Sequence, residues 1–131
     1  MTAAPVPDAV GATADTVQAA SSLLSALAAP LRLSIVALLT AHGSRCVHQL
    51  VDELDAPQPL VSQHLRVLRA AGLVVGERRH REVHYALVDP HVGHIVRDAL
   101  EHVSHPAERA RPVPVDEDDD GCAKDDGTAP R

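Results

Sequence analysis

The chain has 131 residues, a formal net charge of −6 and 45% hydrophobic residues, among them no Phe or Trp and one tyrosine, Tyr85. This length and composition fit one small domain with an aliphatic, mainly helical core. No apolar run approaches the roughly 20 residues that cross a bilayer, and the N-terminus lacks a charged region before an apolar stretch, so we expect a cytoplasmic protein without a membrane partner. Cys46 and Cys122 lie in unlike contexts, and we expect reduced thiols.

The net charge conceals two segments of opposite sign. Residues 112–131 have a net charge of −5, from seven acids, one lysine and one arginine. Residues 57–81 have a net charge of +4, from five arginines and one glutamate. Because a nucleic-acid partner needs only a local basic patch, the overall acidity does not exclude one.

The two ends of the chain carry no hydrophobic periodicity. Residues 1–14 are mostly small residues and prolines, and residues 107–131 are rich in proline, glycine and acids. We expect a disordered N-terminal extension (1–14) and a disordered acidic tail (107–131) around one domain of residues 15–106.

Four helices are predicted in the first part of that domain. Asp15 or Thr16 caps the first, Pro30 starts the second, and Gly43 ends the second. A third helix, roughly residues 47–54, is separated by a short turn from a fourth, roughly residues 59–71, which Gly72 ends. The apolar residues of the first helix include Val17, Leu23, Leu24 and Leu27.

The hydrophobic period changes after Gly72. Val83, Tyr85 and Leu87 alternate on one face, and a charged reversal near residues 79–81 predicts a β-hairpin. Asp89 and Pro90 then open a last helix that Pro106 ends. The apolar residues of this helix include Ile95, Ala99, Leu100 and Val103. The predicted order is α-α-α-α-β-β-α, mainly helical with a β-hairpin wing, which is the layout of a winged helix-turn-helix.

The fourth helix has the chemistry of a DNA-reading element. We expect its apolar residues to pack inward: Leu60, Val61, Leu65 and Leu68. We expect its polar residues to face outward: Gln58, Ser62, Gln63, His64, Arg66 and Arg69. Glutamine and serine can read bases, while Arg66, Arg69 and the wing residues Arg78, Arg79 and Arg81 would mostly contact phosphates. The alternative is an ordinary solvated helix face.

Three segments resemble the ArsR/SmtB family of metal-sensing transcriptional repressors. They are ALAAPLRLSIVALL, PQPLVSQHLRVLRAAGLV and GERRHREVHYAL, and their order and spacing match the family over about residues 23–106. The resemblance implies a homodimer, and not an enzyme, that represses a promoter by binding double-stranded operator DNA until an inducer binds.

Four of the nine histidines fall within residues 89–106. His102 and His105 share one helical face, but His91 lies about 16 Å from His102 along one helix, too far for a shared ion. Two antiparallel copies related about a point near Arg97 would bring Asp89 and His91 of one protomer to His105 and His102 of its partner. Three nitrogens and one carboxylate oxygen suit tetrahedral zinc, with cobalt or nickel as alternatives. The family's D-x-H and H-x-x-H pattern matches at all four positions.

Other candidates remain open at this point. Cys46 and His48 form a second candidate metal site, or Cys46 is a small buried apolar residue. His94 lies outside the pattern, as a surface residue or as an extra ligand of octahedral nickel or cobalt. Rival functions are a metal-binding or buffering protein, a winged helix without sensing, and a nickel or cobalt sensor. A zinc hydrolase is disfavoured because four protein ligands leave no open coordination position.

Overall fold

The computed structural model describes residues 11–105, and the remainder of the predicted extension and tail, with Cys122 and Pro106, lies outside this range. The elements are α1 (Ala14–Leu27), α2 (Pro30–His42), β1 (Ser44–Cys46), α3 (Val47–Leu54), α4 (Gln58–Ala70), β2 (Val74–Arg79), β3 (Glu82–Leu87) and α5 (Pro90–Ser104). The chain divides into two compact units after Leu100, and of the second the structure describes Glu101–His105.

The predicted winged helix-turn-helix is confirmed, with one strand added. β2 and β3 form the antiparallel hairpin, and β1 pairs with the other edge of β3 to give the sheet order β1-β3-β2. The predicted element order was wrong in omitting β1, because a strand of three residues, Ser44–Cys46, is too short to show a hydrophobic alternation.

The core is aliphatic, as the composition predicts. Fully buried side chains come from α2, α3, α4, the β2 region and α5 and include Ile35, Leu50, Leu65, Leu68 and Val96. Burying a side chain of this size contributes about 1.5–3 kcal/mol. The helix-turn-helix is therefore stabilised by a core that it shares with α1, α2, the β2 region and α5.

One predicted core position, Leu60, is wrong, and many apolar residues of α1 and α5 lie outside the core. Leu60 of α4 is 40% exposed, although Val61, Leu65 and Leu68 of the same helix are buried. In α5 the buried residues are Val92, Gly93 and Val96. The predicted apolar stripes are therefore largely exposed on α1 and α5, at Val17, Leu24, Ile95, Ala99, Leu100 and Val103.

Local chemistry sets the helix ends. α1 is capped by Thr13, whose hydroxyl accepts from the Thr16 N–H at 3.1 Å, so the predicted caps Asp15 and Thr16 were wrong by two or three residues. Gly72 has φ +74° and follows α4, and the next N–H, of Leu73, donates to the Leu68 carbonyl at 2.9 Å. This Schellman closure turns the chain from α4 into the wing.

No single helix among the described residues is long and apolar enough to cross a membrane. Together α1 and α2 pass the same test of length and composition, but they are bent by 96° at the break between them.

Candidate nucleic-acid interface and metal centre

The polar face of α4 lies open to solvent. Gln58, Gln63, Arg66 and Arg69 are exposed, and Ser62 and His64 are half-buried. The buried side chains Val61, Leu65 and Leu68 recur at helical spacing on the opposite face, so they fix which side of the helix points outward. All six predicted α4 residues are therefore at least partly accessible from solvent.

The Arg69 side chain of α4 comes close to the wing at Gly76 of β2. A Cβ atom at this position would lie 3.7 Å from Nη1 of Arg69, 3.1 Å from Val83 and 3.3 Å from the Tyr85 ring. The Arg69 side chain thus extends over the sheet at the one residue of β2 that has no side chain. A larger residue there would press on Val83 and Tyr85 beneath it.

The wing arginines are at the far end of the hairpin from α4. Arg78 and Arg79 end β2 and Arg81 lies in the turn, all exposed. Arg79 pairs with Glu77 at 3.4 Å, an exposed pair that contributes little. Within residues 11–105, Arg66, Arg69, Arg78 and Arg81 have no acidic side chain within salt-bridge distance, so their charge remains available to an anionic partner.

His64 differs from its polar neighbours. It is half-buried, and its Nδ1 atom is buried without a hydrogen-bond partner among the described residues. An imidazole nitrogen in this position costs stability unless water or a ligand satisfies it.

The side chains of Asp89 and His91 lie close together at the start of α5. The Asp89 Oδ1 atom accepts from the His91 N–H at 2.8 Å and from the Val92 N–H at 3.3 Å, so the carboxylate caps the helix. The same oxygen lies 3.5 Å from Nδ1 of His91, whose side chain is 86% exposed. A carboxylate and an imidazole, both of which can bind a metal ion, therefore lie side by side at the surface.

The second predicted pair lies at the other end of α5. His102 is in the last turn, and His105 immediately follows the final helical residue, Ser104, rather than lying within the helix as predicted. Both histidines are exposed. In the described part of a single chain, no three His, Cys, Asp or Glu side chains converge on one point.

Cys46 and His48 are separated by their environments. Cys46 ends β1 and is only 6% exposed, and its N–H donates to Oε1 of Gln49 at 3.0 Å, which closes the start of α3. His48 is exposed. Cys46 thus packs as a small apolar residue, while the pair's capacity for a soft metal stays a hypothesis.

An apolar surface spans α1 and α5. Leu24 is 53% exposed and Ile95 is 37% exposed. The two line one groove of about 150 Å³ together with Leu27, Leu33 and Ala99. A monomer that leaves a continuous apolar face of this kind uncovered has a surface typical of a protein–protein contact.

Comparison with known proteins identifies the family to which this chain belongs. The bacterial regulatory protein arsR family matches residues 29–75, which span α2, the helix-turn-helix and the first residues of β2. The HTH-type transcriptional regulator NmtR of Mycobacterium tuberculosis is 42% identical over 85 residues, which cover 65% of this chain and 70% of NmtR. The chain belongs to the ArsR family.

Two further comparisons, with transcriptional repressors, agree with this assignment. The HTH-type transcriptional repressor SmtB of Mycobacterium tuberculosis is 58% identical over 89 residues, 68% of this chain, and the match spans 65% of the relative's length. The crystal structure of the transcriptional repressor PagR of Bacillus anthracis superposes with a TM-score of 0.60 at 32% identity, covering 65% of this chain and 97% of PagR. The resemblance predicted from the three sequence segments is confirmed.

The prediction from the sequence was wrong about one residue in the first turn of α4. Leu60 was predicted to pack inward, but it is the third residue of α4 and lies about 100° around the helix from buried Val61. That angular offset was the available signal, since the three buried residues of α4 define a stripe that excludes it.

Proposed function

We propose that the protein is a homodimeric transcriptional repressor that binds operator DNA and is released by zinc bound between the last helices of the two protomers. The observation that carries the DNA-binding part is the exposed, hydrogen-bonding face of α4 joined to an arginine-rich wing. A two-fold dimer offers two such recognition helices, which suit half-sites about 10 bp apart or a multiple of that spacing. Phosphate contacts by the arginines position the dimer, and Ser62 and Gln63 read bases.

The proposed dimer covers the apolar surface of α1 and α5. Leu24 and Ile95 keep a large exposed fraction in the single chain, and a second copy would remove that area from water. Symmetry makes such a contact isologous, so the same patch is used on both protomers.

The proposed metal site uses Asp89 and His91 of one protomer and His102 and His105 of its partner. Three imidazole nitrogens and one carboxylate oxygen match the donor set of tetrahedral zinc. Capping fixes the Asp89 carboxylate through Oδ1, which leaves Oδ2 as the oxygen for an ion. Zinc held there would supply a bridge between the two protomers.

Zinc binding would be coupled to DNA binding because α5 is attached through α2 to the helix-turn-helix. α5 packs closely on α2 at Gly93, and α2 packs on both helices of the helix-turn-helix. A bridge that favours one placement of the two α5 helices also favours one spacing of the two recognition helices. If that spacing fits the operator less well, zinc lowers DNA affinity, and DNA lowers zinc affinity by the same factor.

The test is a titration of zinc into the complex of the full chain with fluorescent DNA from upstream of its own gene, at fixed salt. We expect zinc to weaken binding by about 5- to 150-fold, the usual range of such coupling. His91→Ala should bind DNA and ignore zinc. Zinc binding by a protein that binds no DNA would favour the metal-buffering alternative instead.

His94→Ala is the matched control, because His94 is exposed on the same helix and its ring centroid lies 6.5 Å from that of His91. It should keep the zinc response. Loss of a nickel or cobalt response in His94→Ala, with the zinc response intact, would favour an octahedral nickel or cobalt site with His94 as a further ligand.

A further inference from the structure

Leu60 is an exposed apolar side chain in the first turn of α4. It is 40% exposed, whereas Val61 beside it is fully buried. Its N–H donates to the Pro57 carbonyl at 3.1 Å, so the residue is fixed within the helix start. One exposed leucine is ordinary on a protein surface. This one, however, stands among side chains that are placed to read bases.

The neighbours of Leu60 define what it faces. Gln63 and His64 follow it by three and four residues, so both are adjacent to it on the helix surface. Gln63 is exposed, and Gln58 precedes Leu60 by two residues at the helix start. In helix-turn-helix proteins the N-terminal residues of the recognition helix contact base edges. The first turn of α4 therefore presents an apolar group beside an amide.

We propose that Leu60 contacts the C5 methyl group of a thymine in the major groove, next to the base that Gln63 reads. The inference rests on the proposed function, because it requires α4 to enter the major groove. Among the groups that the major groove exposes, the thymine methyl is the apolar one, and apolar side chains recognise it. The five arginines of residues 57–81 fit a polyanionic occupant of this face better than a second protein surface.

The experiment first selects DNA from a random library with the full-length protein, in the metal condition that gives tighter binding. Each thymine of the selected site is then replaced singly by deoxyuridine, which removes only the methyl group. We expect one thymine in each half-site at which this change weakens binding about fourfold, the ratio that corresponds to one buried methylene-sized group. In Leu60→Ala that thymine and deoxyuridine should bind equally.

Two variants control the result. Leu60→Met keeps an apolar side chain and should keep the thymine dependence. Val67→Ala removes an apolar side chain that is 37% exposed two turns further along α4, about 10.5 Å from Leu60, and it should also keep the dependence. Circular dichroism and sedimentation of each variant confirm that fold and assembly are unchanged.

The outcomes separate this inference from the proposed function. If DNA is selected but no thymine methyl matters, or if Leu60→Ala keeps the full dependence, the Leu60 contact is wrong and the repressor proposal stands. If Leu60→Ala instead dissociates the dimer, Leu60 belongs to a protein interface and the inference is overturned. A protein that selects no DNA would overturn both.

Discussion

A Cβ atom on Gly93 would lie 2.6 Å from the Thr40 Oγ1 atom and 3.1 Å from its Cγ2 atom. The Thr40 hydroxyl is held in place because it donates to the Val36 carbonyl at 2.7 Å. α5 and α2 therefore meet at a contact that only glycine fits. Asp89 and His91 precede Gly93 by four and two residues, so this contact with α2 fixes the position of two of the four proposed metal ligands.

Gly93→Ala should destabilise the protein by about 1–2 kcal/mol, because overpacking outweighs the better helix propensity of alanine. Thermal or urea unfolding measures the change. In the Gly93→Ala, Thr40→Ala double variant the two nearest crowding atoms, both of Thr40, are gone, although Cδ1 of Leu87 at 3.3 Å remains, and most of the loss should be recovered. Strictly additive effects of the two substitutions would contradict a direct contact.

Leu24→Glu and Ile95→Glu should each weaken dimerisation by about 100-fold or more, since an unpaired charge would be buried in the proposed interface. Sedimentation equilibrium gives the dissociation constants. Gln18→Glu introduces the same charge at an exposed polar position of α1 and should leave assembly nearly unchanged. If dimerisation is unchanged in both Leu24→Glu and Ile95→Glu, the interface lies elsewhere.

Arg79→Ala and Arg81→Ala should weaken specific and non-specific DNA binding alike, and each should flatten the slope of log affinity against log salt by about 0.9. Arg79→Lys keeps the charge and should keep the slope. Ser62→Ala and Gln63→Ala should instead cost about 1–3 kcal/mol of specific binding with the slope preserved. A salt slope that no wing arginine alters would show that the wing does not touch phosphate.

His91→Ala and His102→Ala homodimers should each lose zinc affinity by more than about 100-fold. Even replacing a residue that only hydrogen-bonds to a metal ligand lowers metal affinity by about 10- to 100-fold. Mixed in one heterodimer, the two variants place both alanines in one site and leave the other with all four ligands. One site of wild-type affinity per heterodimer should therefore return, and cobalt bound there should show no thiolate absorption. Sites built within a single chain would gain nothing from mixing.

The helix-turn-helix was predictable because its signals are local. α3 spans Val47–Leu54 as predicted, and Gly43 and Gly72 end α2 and α4 in backbone conformations with positive φ. Such a conformation is disfavoured for residues with a Cβ atom, so glycine marks it in the sequence. The start of α1 was predicted wrongly, because Thr13, Asp15 and Thr16 can all serve as caps and the adopted backbone selects Thr13.

The candidate metal ligands were named from their spacing and from the resemblance to the family's D-x-H and H-x-x-H pattern, and the structure adds that Asp89 caps α5 beside an exposed His91. Their convergence is a prediction about two protomers, which periodicity in one chain cannot test. The contact between Gly93 and Thr40 was not predictable either, because neither local sequence indicates which residue of another helix will lie opposite.

By itself, the sequence determined the element types, the turns between them, the inward face of α4 apart from Leu60, and the basic character of the wing. These follow from period, capping and charge, which act over a few residues. Only the tertiary structure decided that β1 joins the sheet, that Leu60 points outward, and that the apolar stripes of α1 and α5 remain exposed. Burying an apolar residue is favourable. Whether it is buried in the core of its own chain, against a second copy or against a thymine methyl depends on which surfaces the packed chain leaves exposed.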